Sequence, residues 1–158
     1  MPMPPRPQQS LQLLLQHEQR QTDQALLALR RADEANDRAA AQREQLHGYR
    51  NEYEARWSQR LRAGSPVAIV LHYRSFMQRL DQAVAMQSRQ AEVTERHAAQ
   101  ARQRLLDCER RVASVRKLLE RRGAELAQRS RQLEQKASDE QAQRRRWRAT
   151  QTDSLRAP

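Results

Sequence analysis

The residues that could do chemistry are few, and they are scattered. His17, His47, His72 and His97 lie far apart, and none has a second histidine or a cysteine at metal-ligand spacing. A solvated or seam-edge histidine is the expected state of each. The single cysteine, Cys108, excludes an internal disulfide framework and a multi-cysteine metal cluster. The paired carboxylates Asp33-Glu34 and Asp139-Glu140 have no partner that would make one an acid and the other a base. No glycine-rich phosphate loop, G-x-S-x-G elbow or H-E-x-x-H segment occurs. The sequence reads as a non-enzyme that needs neither cofactor nor metal.

Two other constellations could bind rather than react. Arg144-Arg145-Arg146-Trp147-Arg148 offers guanidiniums for phosphates and an indole for stacking on a base. Basic helix ends are common, so a solvated tail or an acidic protein partner is set ahead of nucleic acid. The second constellation is a stripe on each of two segments: Gln42, Leu46, Tyr49 and Tyr53, then Phe76, Leu80, Ala83 and Gln87. Each runs i, i+4, i+7, i+11, one face of a helix. Antiparallel pairs whose numbers add to 129 place the two stripes side by side as one patch. Leu46, Tyr53, Leu80 and Gln87 also fall in the seam rows described below, so burial competes with docking for them. Tyr49, Phe76 and Ala83 sit beside those rows, where a partly exposed patch is expected.

The elements that must carry these residues follow from composition. The 158 residues include three glycines and six aromatics, with 31% charged side chains. That is too little glycine for a turn-rich sheet and too few aromatics for a thick core; it suits long helices. The prolines stand at 2, 4, 5, 7, 66 and 158, leaving 8–65 and 67–157 free of them. Residues 1–7 read as a flexible Pro-rich arm, 8–62 as a first helix, 63–66 as a turn, 67–150 as a second helix and 151–158 as a frayed tail. At the turn, Gly64 suits a positive-φ helix end, Ser65 an N-cap and Pro66 a first helical position.

The second helix repeats every seven residues. Val70, Met77, Val84, Ala91, Ala98, Leu105, Val112, Leu119, Leu126 and Leu133 form one wholly apolar row. Its companion runs Tyr73, Leu80, Gln87, Thr94, Ala101, Cys108, Val115, Arg122, Arg129 and Lys136. These rows form a coiled-coil seam, with Cys108 as a packed thiol. The first helix has a weaker seam: Ala25, Leu29, Ala32, Asn36, Ala39, Arg43, Leu46, Arg50, Tyr53 and Trp57. Antiparallel pairing sets Gln8 opposite about residue 120, so the second helix lacks a partner beyond it. The fold class is therefore all-α: a long antiparallel two-helix coiled-coil hairpin with a C-terminal helical overhang.

Net charge is +11, graded along the chain. Residues 1–65 carry +2, 66–120 carry +4 and 121–158 carry +5. Such a balance favours acidic partners. The apolar run Leu11–Leu15 is too short for a signal-peptide core, and no run approaches the ~20 residues of a membrane span. A cytoplasmic protein is expected.

A resemblance sharpens this. Tyr49-Arg50-Asn51-Glu52-Tyr53 resembles the Y-x-N-E-Y segment of the flagellar export protein FliJ family. His72-Tyr73-Arg74-Ser75-Phe76, followed by Leu80, resembles its N-Y-x-x-F-x-x-x-L segment at the same separation. Glu134-Gln135-Lys136 with Asp139, Glu140 and Ala142 resembles its E-Q-K-x-x-D-E-x-A segment, and the early leucines and Leu29-Arg30-Arg31 also fit. Gln87 departs from the histidine that relatives can carry, and the chain is unusually rich in arginine.

The resemblance implies a cytoplasmic component of the flagellar type III export apparatus. Such a protein is similar to the shaft of a rotary ATPase. It would enter the export ATPase hexamer and promote its assembly, link it to the export gate, and escort substrate chaperones. It would associate peripherally with the membrane through that apparatus. Gln42, Leu46, Tyr49, Tyr53, Phe76, Leu80, Ala83 and Gln87 would dock the gate's cytoplasmic domain. The basic groups Arg122, Arg129, Lys136, Arg144, Arg145 and Arg146 are the expected contacts to the ATPase ring. The equivalent stalk of a virulence secretion system and a basic nucleic-acid-binding coiled coil are the alternatives.

Overall fold

In a computed structural model, which describes the backbone of residues 7–154 and the side-chain environments of 9–148, the chain is two long helices. Helix α1 spans Pro7–Arg62 and α2 spans Val67–Ser154. Among the described residues there is no strand. The fold is an antiparallel two-helix coiled-coil hairpin, and no described helix is long and apolar enough to cross a membrane.

Helix α1 starts one residue earlier than expected. Pro7 heads it rather than ending the arm, because the first helical position needs no N–H and tolerates proline's fixed φ. Helix α2 runs past 150 to Ser154, since no glycine or proline intervenes to stop it. The rest of the expected arm, 1–6, and the tail from 155 lie outside the described residues.

The turn is made by Gly64, at φ 90°. A side chain is strained there, and glycine is not. The Ala63 N–H donates to the Gln59 carbonyl at 3.3 Å and the Gly64 N–H to that of Leu61 at 3.3 Å, closing α1. The N-cap expectation is corrected. The Ser65 hydroxyl donates back to the Arg60 carbonyl at 3.3 Å instead of accepting from α2. The Pro66 carbonyl itself accepts the first bonds of α2, from Ile69 at 3.0 Å and Val70 at 3.2 Å. Ser65 thus satisfies an open carbonyl at the end of α1, one of the groups that a helix C-terminus leaves unpaired.

The chain divides into two compact units. One, Glu18–Arg110, contains the turn and both flanking helical stretches. Its buried residues are Ala25 and Ala39 on α1 and Met77, Leu80, Val84, Ala91, Ala98 and Cys108 on α2. All six on α2 belong to the two heptad rows. Polar rungs interrupt this seam. Asn36 Oδ1 accepts from the Thr94 hydroxyl at 3.3 Å, and Arg43, expected within the seam, is exposed. A guanidinium reaches water at little cost, whereas burying it unpaired is expensive.

The other unit comprises 1–17 with 111–158. Val112 and Val115 are buried there, while Leu11, Leu15 and Leu119 are half-buried. Coverage stops at Gly123, and every residue from 124 to 148 is exposed. The overhang therefore begins three residues beyond the expected 120. Gly123 is the last half-buried position, and Arg122 before it is exposed.

Candidate docking surfaces

Five of the six aromatic residues lie within 28 positions around the turn: Tyr49, Tyr53, Trp57, Tyr73 and Phe76. They form a cross-helix ladder. Tyr53 and Phe76 meet at 4.5 Å between ring centroids, tilted by 44°. Tyr49 stands 5.9 Å from Tyr53 on the outer side, and Trp57 stands 6.1 Å away on the turn side. Trp57 stacks on Tyr73 at 5.3 Å, and the Arg60 guanidinium lies 5.6 Å from its ring. Tilted and offset rings at these spacings attract through their quadrupoles as well as their area.

The eight expected patch residues fall into three groups. Tyr49 is 51% exposed, and Gln42 and Ala83 are exposed too. Leu46, Tyr53, Phe76 and Gln87 are half-buried. Leu80 is only 8% exposed, so it belongs to the core. The two stripes do come together. Gln87 Nε2 donates to Gln42 Oε1 at 3.0 Å, and Tyr53 faces Phe76. Leu80 is brought beneath the patch rather than onto it.

A polar clamp beside the ladder was not anticipated from the sequence. Arg50 Nε donates to Asp81 Oδ1 at 2.6 Å, and Arg50 Nη1 to Glu54 Oε2 at 2.7 Å. The hydrogen bond to Asp81, then the charges of Asp81 and Glu54, raise the Arg50 pKa above its ordinary value. Its folded pKa being the higher, the interaction is present below the unfolded pKa and fades only as pH rises through the folded one. The clamp is thus cationic at Arg50 throughout any working range. The Trp57–Tyr73 stack was also missed as part of the cluster, although extending the same antiparallel pairing one turn towards the loop would have found it. On the outer side of that stack, Tyr53, Arg56, Trp57, Gln59, Arg60 and Ala63 line an open hollow of about 590 Å³.

The second surface is the overhang of the other unit. Arg122, Arg129, Lys136, Arg144, Arg145 and Arg146 are all exposed on it. Leu126 and Leu133 continue the apolar row at 47% and 68% exposure. Trp147 stands two heptads beyond Leu133 and is 64% exposed. Gln141, Arg144, Arg145 and Arg148 surround a small basic hollow. The arrangement can bind an anionic, partly apolar surface. Among the described residues, no group of three His, Cys, Asp or Glu side chains could hold a metal ion.

A family model described as "Flagellar FliJ protein" matches residues 7–151. No curated protein matches, and no solved structure matches. The match covers most of the chain, which belongs to this family and is a component of the flagellar type III export system.

Proposed function

We propose that this FliJ-family chain acts as a non-catalytic stalk, with its overhang inserted into the export ATPase hexamer and its aromatic patch docked on the cytoplasmic domain of the export gate. The observation that carries the reading is the exposure of two chemically different surfaces. One is a compact aromatic patch centred on Tyr49 in the unit that holds the turn. The other is a 25-residue stretch, 124–148, whose Leu126 and Leu133 lie open beside six or more cationic groups. A helix leaves a seam row uncovered where something else is to cover it. An acidic lumen with apolar contacts would match its chemistry.

Arg122, Arg129, Lys136 and Arg144–Arg146 are the contacts assigned to the ring. Tyr49, Gln42 and Ala83 meet the gate directly. Tyr53, Phe76, Leu46 and Gln87 form the half-buried margin, and Leu80 supports them from beneath. Escort of substrate chaperones follows from the family resemblance and involves the same scaffold. The protein works in the cytoplasm, at the membrane face where the gate stands. It hydrolyses nothing itself, since helices of this kind offer no loop to cradle a triphosphate.

Deletion of residues 121–158 tests the ring assignment. The shortened chain should keep its helical signal by circular dichroism and lose stimulation of the ATPase. Undiminished stimulation would refute the assignment.

A further inference from the structure

The first turn of α2 breaks the rule that outward positions of a coiled coil are polar. Val67, Ala68, Ile69, Val70 and Leu71 form an unbroken apolar run directly after the loop. Val70 is half-buried in the seam, yet Val67 is 75% exposed, Ile69 40% and Leu71 60%. At 100° per residue, Val67 and Leu71 share one side of the helix and Ile69 lies on the opposite side. The apolar surface therefore wraps the tip.

The charge around it has one sign. From residue 55 to residue 80 the sequence holds Arg56, Arg60, Arg62, Arg74 and Arg79, and no Asp or Glu. All five arginines are exposed. Seven residues of helix separate Val67 from Arg74, a rise of about 10 Å. That is close to the ~5–10 Å depth at which interfacial helices bury their apolar side chains beneath the headgroups. Trp57 and Tyr73 stack in the same zone, and Trp and Tyr are the side chains that settle at a membrane interface.

We propose that the hairpin tip enters an anionic lipid surface directly, with Val67, Ile69 and Leu71 among the acyl chains and Arg60, Arg62 and Arg74 on the phosphates. An acidic peptide laid in the hollow beside Trp57 would use the same arginines. It would cover one side of the tip, however, and leave either Ile69 or the Val67–Leu71 pair in water. A lipid phase covers both. The assignment stands on the tip alone and does not depend on the ATPase or gate roles.

The test is co-sedimentation of the full-length chain with vesicles of phosphatidylcholine, with and without phosphatidylglycerol. The chain should partition onto the phosphatidylglycerol vesicles. The double change Val67→Ser and Leu71→Ser should lower that partition about tenfold or more. Arg60→Gln and Arg62→Gln should each lower it about fivefold. Replacing Arg144, Arg145 and Arg146 together by Gln should matter less than the tip changes. With Trp147→Phe leaving Trp57 as the only indole, its emission should shift to the blue on binding. Thermal melting checks that the variants fold, and if the double variant does not, Val67→Asp alone serves, because that side chain is three-quarters exposed. Absence of binding, or tip variants that partition like the parent, would overturn the proposal. So would tip variants that lose capture of the gate domain while keeping vesicle binding, which would assign the tip to an acidic protein.

Discussion

Two stretches of α2 carry the same apolar row and meet different fates. Between Met77 and Val112 its members are buried or half-buried, with Ala98 at 2% exposure. At Leu126 and Leu133 the row is open to solvent. The open leucines are at least as apolar as the buried alanines and valines, so residue type in this row does not decide the outcome. The reach of α1 does, because its first residues pair opposite about residue 120. The companion row tolerates Gln87 and Thr94 where α1 faces it, and turns to Arg122, Arg129 and Lys136 where α1 has ended. A heptad row states what a helix can bury, and the length of its partner states how much of it the same chain buries.

The sharpest way to break this comparison is to charge both stretches. Ala98→Asp places a carboxylate at the most buried position of the closed seam. It should cost at least ~3 kcal/mol and, for a thin hairpin, abolish cooperative folding. Leu133→Asp puts the same charge on the open row and should leave the thermal melt unchanged. Circular dichroism against temperature reads both. Equal losses would mean that Leu133 is covered in solution.

The second contrast lies within the aromatic patch, between Tyr49 and Phe76. Both sit beside the seam rows, and both were expected to stay partly exposed. Tyr49 is exposed at 51%, whereas Phe76 is only partly so, half-buried and packed on Tyr53 at 4.5 Å. Tyr49→Ala should therefore weaken binding to the gate's cytoplasmic domain by ~2 kcal/mol, about thirtyfold, with an unaltered melt. Phe76→Ala should weaken binding and also lower stability by about 1 kcal/mol through the lost ring pair. Titration calorimetry beside thermal unfolding separates the two effects. A Tyr49→Ala chain that binds the gate normally would remove Tyr49 from the interface.

The same particulars show what the sequence makes legible. Gly64 could be assigned because it is the one glycine within two residues of a proline, at the junction of two long helical stretches, and its positive φ follows. Tyr53–Phe76 and Gln42–Gln87 could be paired because a short turn fixes the register of nearby antiparallel positions. Register is less legible farther from the turn. Asn36 meets Thr94, one step from the expected pairing, and Asp33 meets Arg102 at 2.9 Å, six steps from it. The latter pair reflects the reach of a long arginine side chain, which sequence spacing does not measure. The Arg50 clamp escaped for a related reason: a seam-row arginine reads as a defect until its two carboxylates are seen around it. Leu80, which spacing places in both the patch and the companion seam row, is claimed by the packing for the core.

The smallest expected effects come from glycine, and their signs should differ between turn and helix. Gly64 holds φ 90°, with nothing within 4 Å of an added Cβ. Space is therefore no obstacle to Gly64→Ala, and only backbone strain opposes it. That strain should cost about 1 kcal/mol. Gly123 also has nothing within 4 Å of an added Cβ, but it lies inside α2, where the backbone is helical. Gly123→Ala removes chain entropy from the unfolded state and should favour the helix by roughly 0.5–1 kcal/mol. The gain should appear as higher helical content and slower amide exchange around residue 123, since the helix beyond it has no packing of its own to hide a local change. Alanine at 64 should instead lower the melting temperature of the unit that contains the turn. If both substitutions stabilise, the turn does not need its left-handed residue. If both destabilise, Gly123 is there to let another surface approach the backbone, and coverage of α2 does not end at that position.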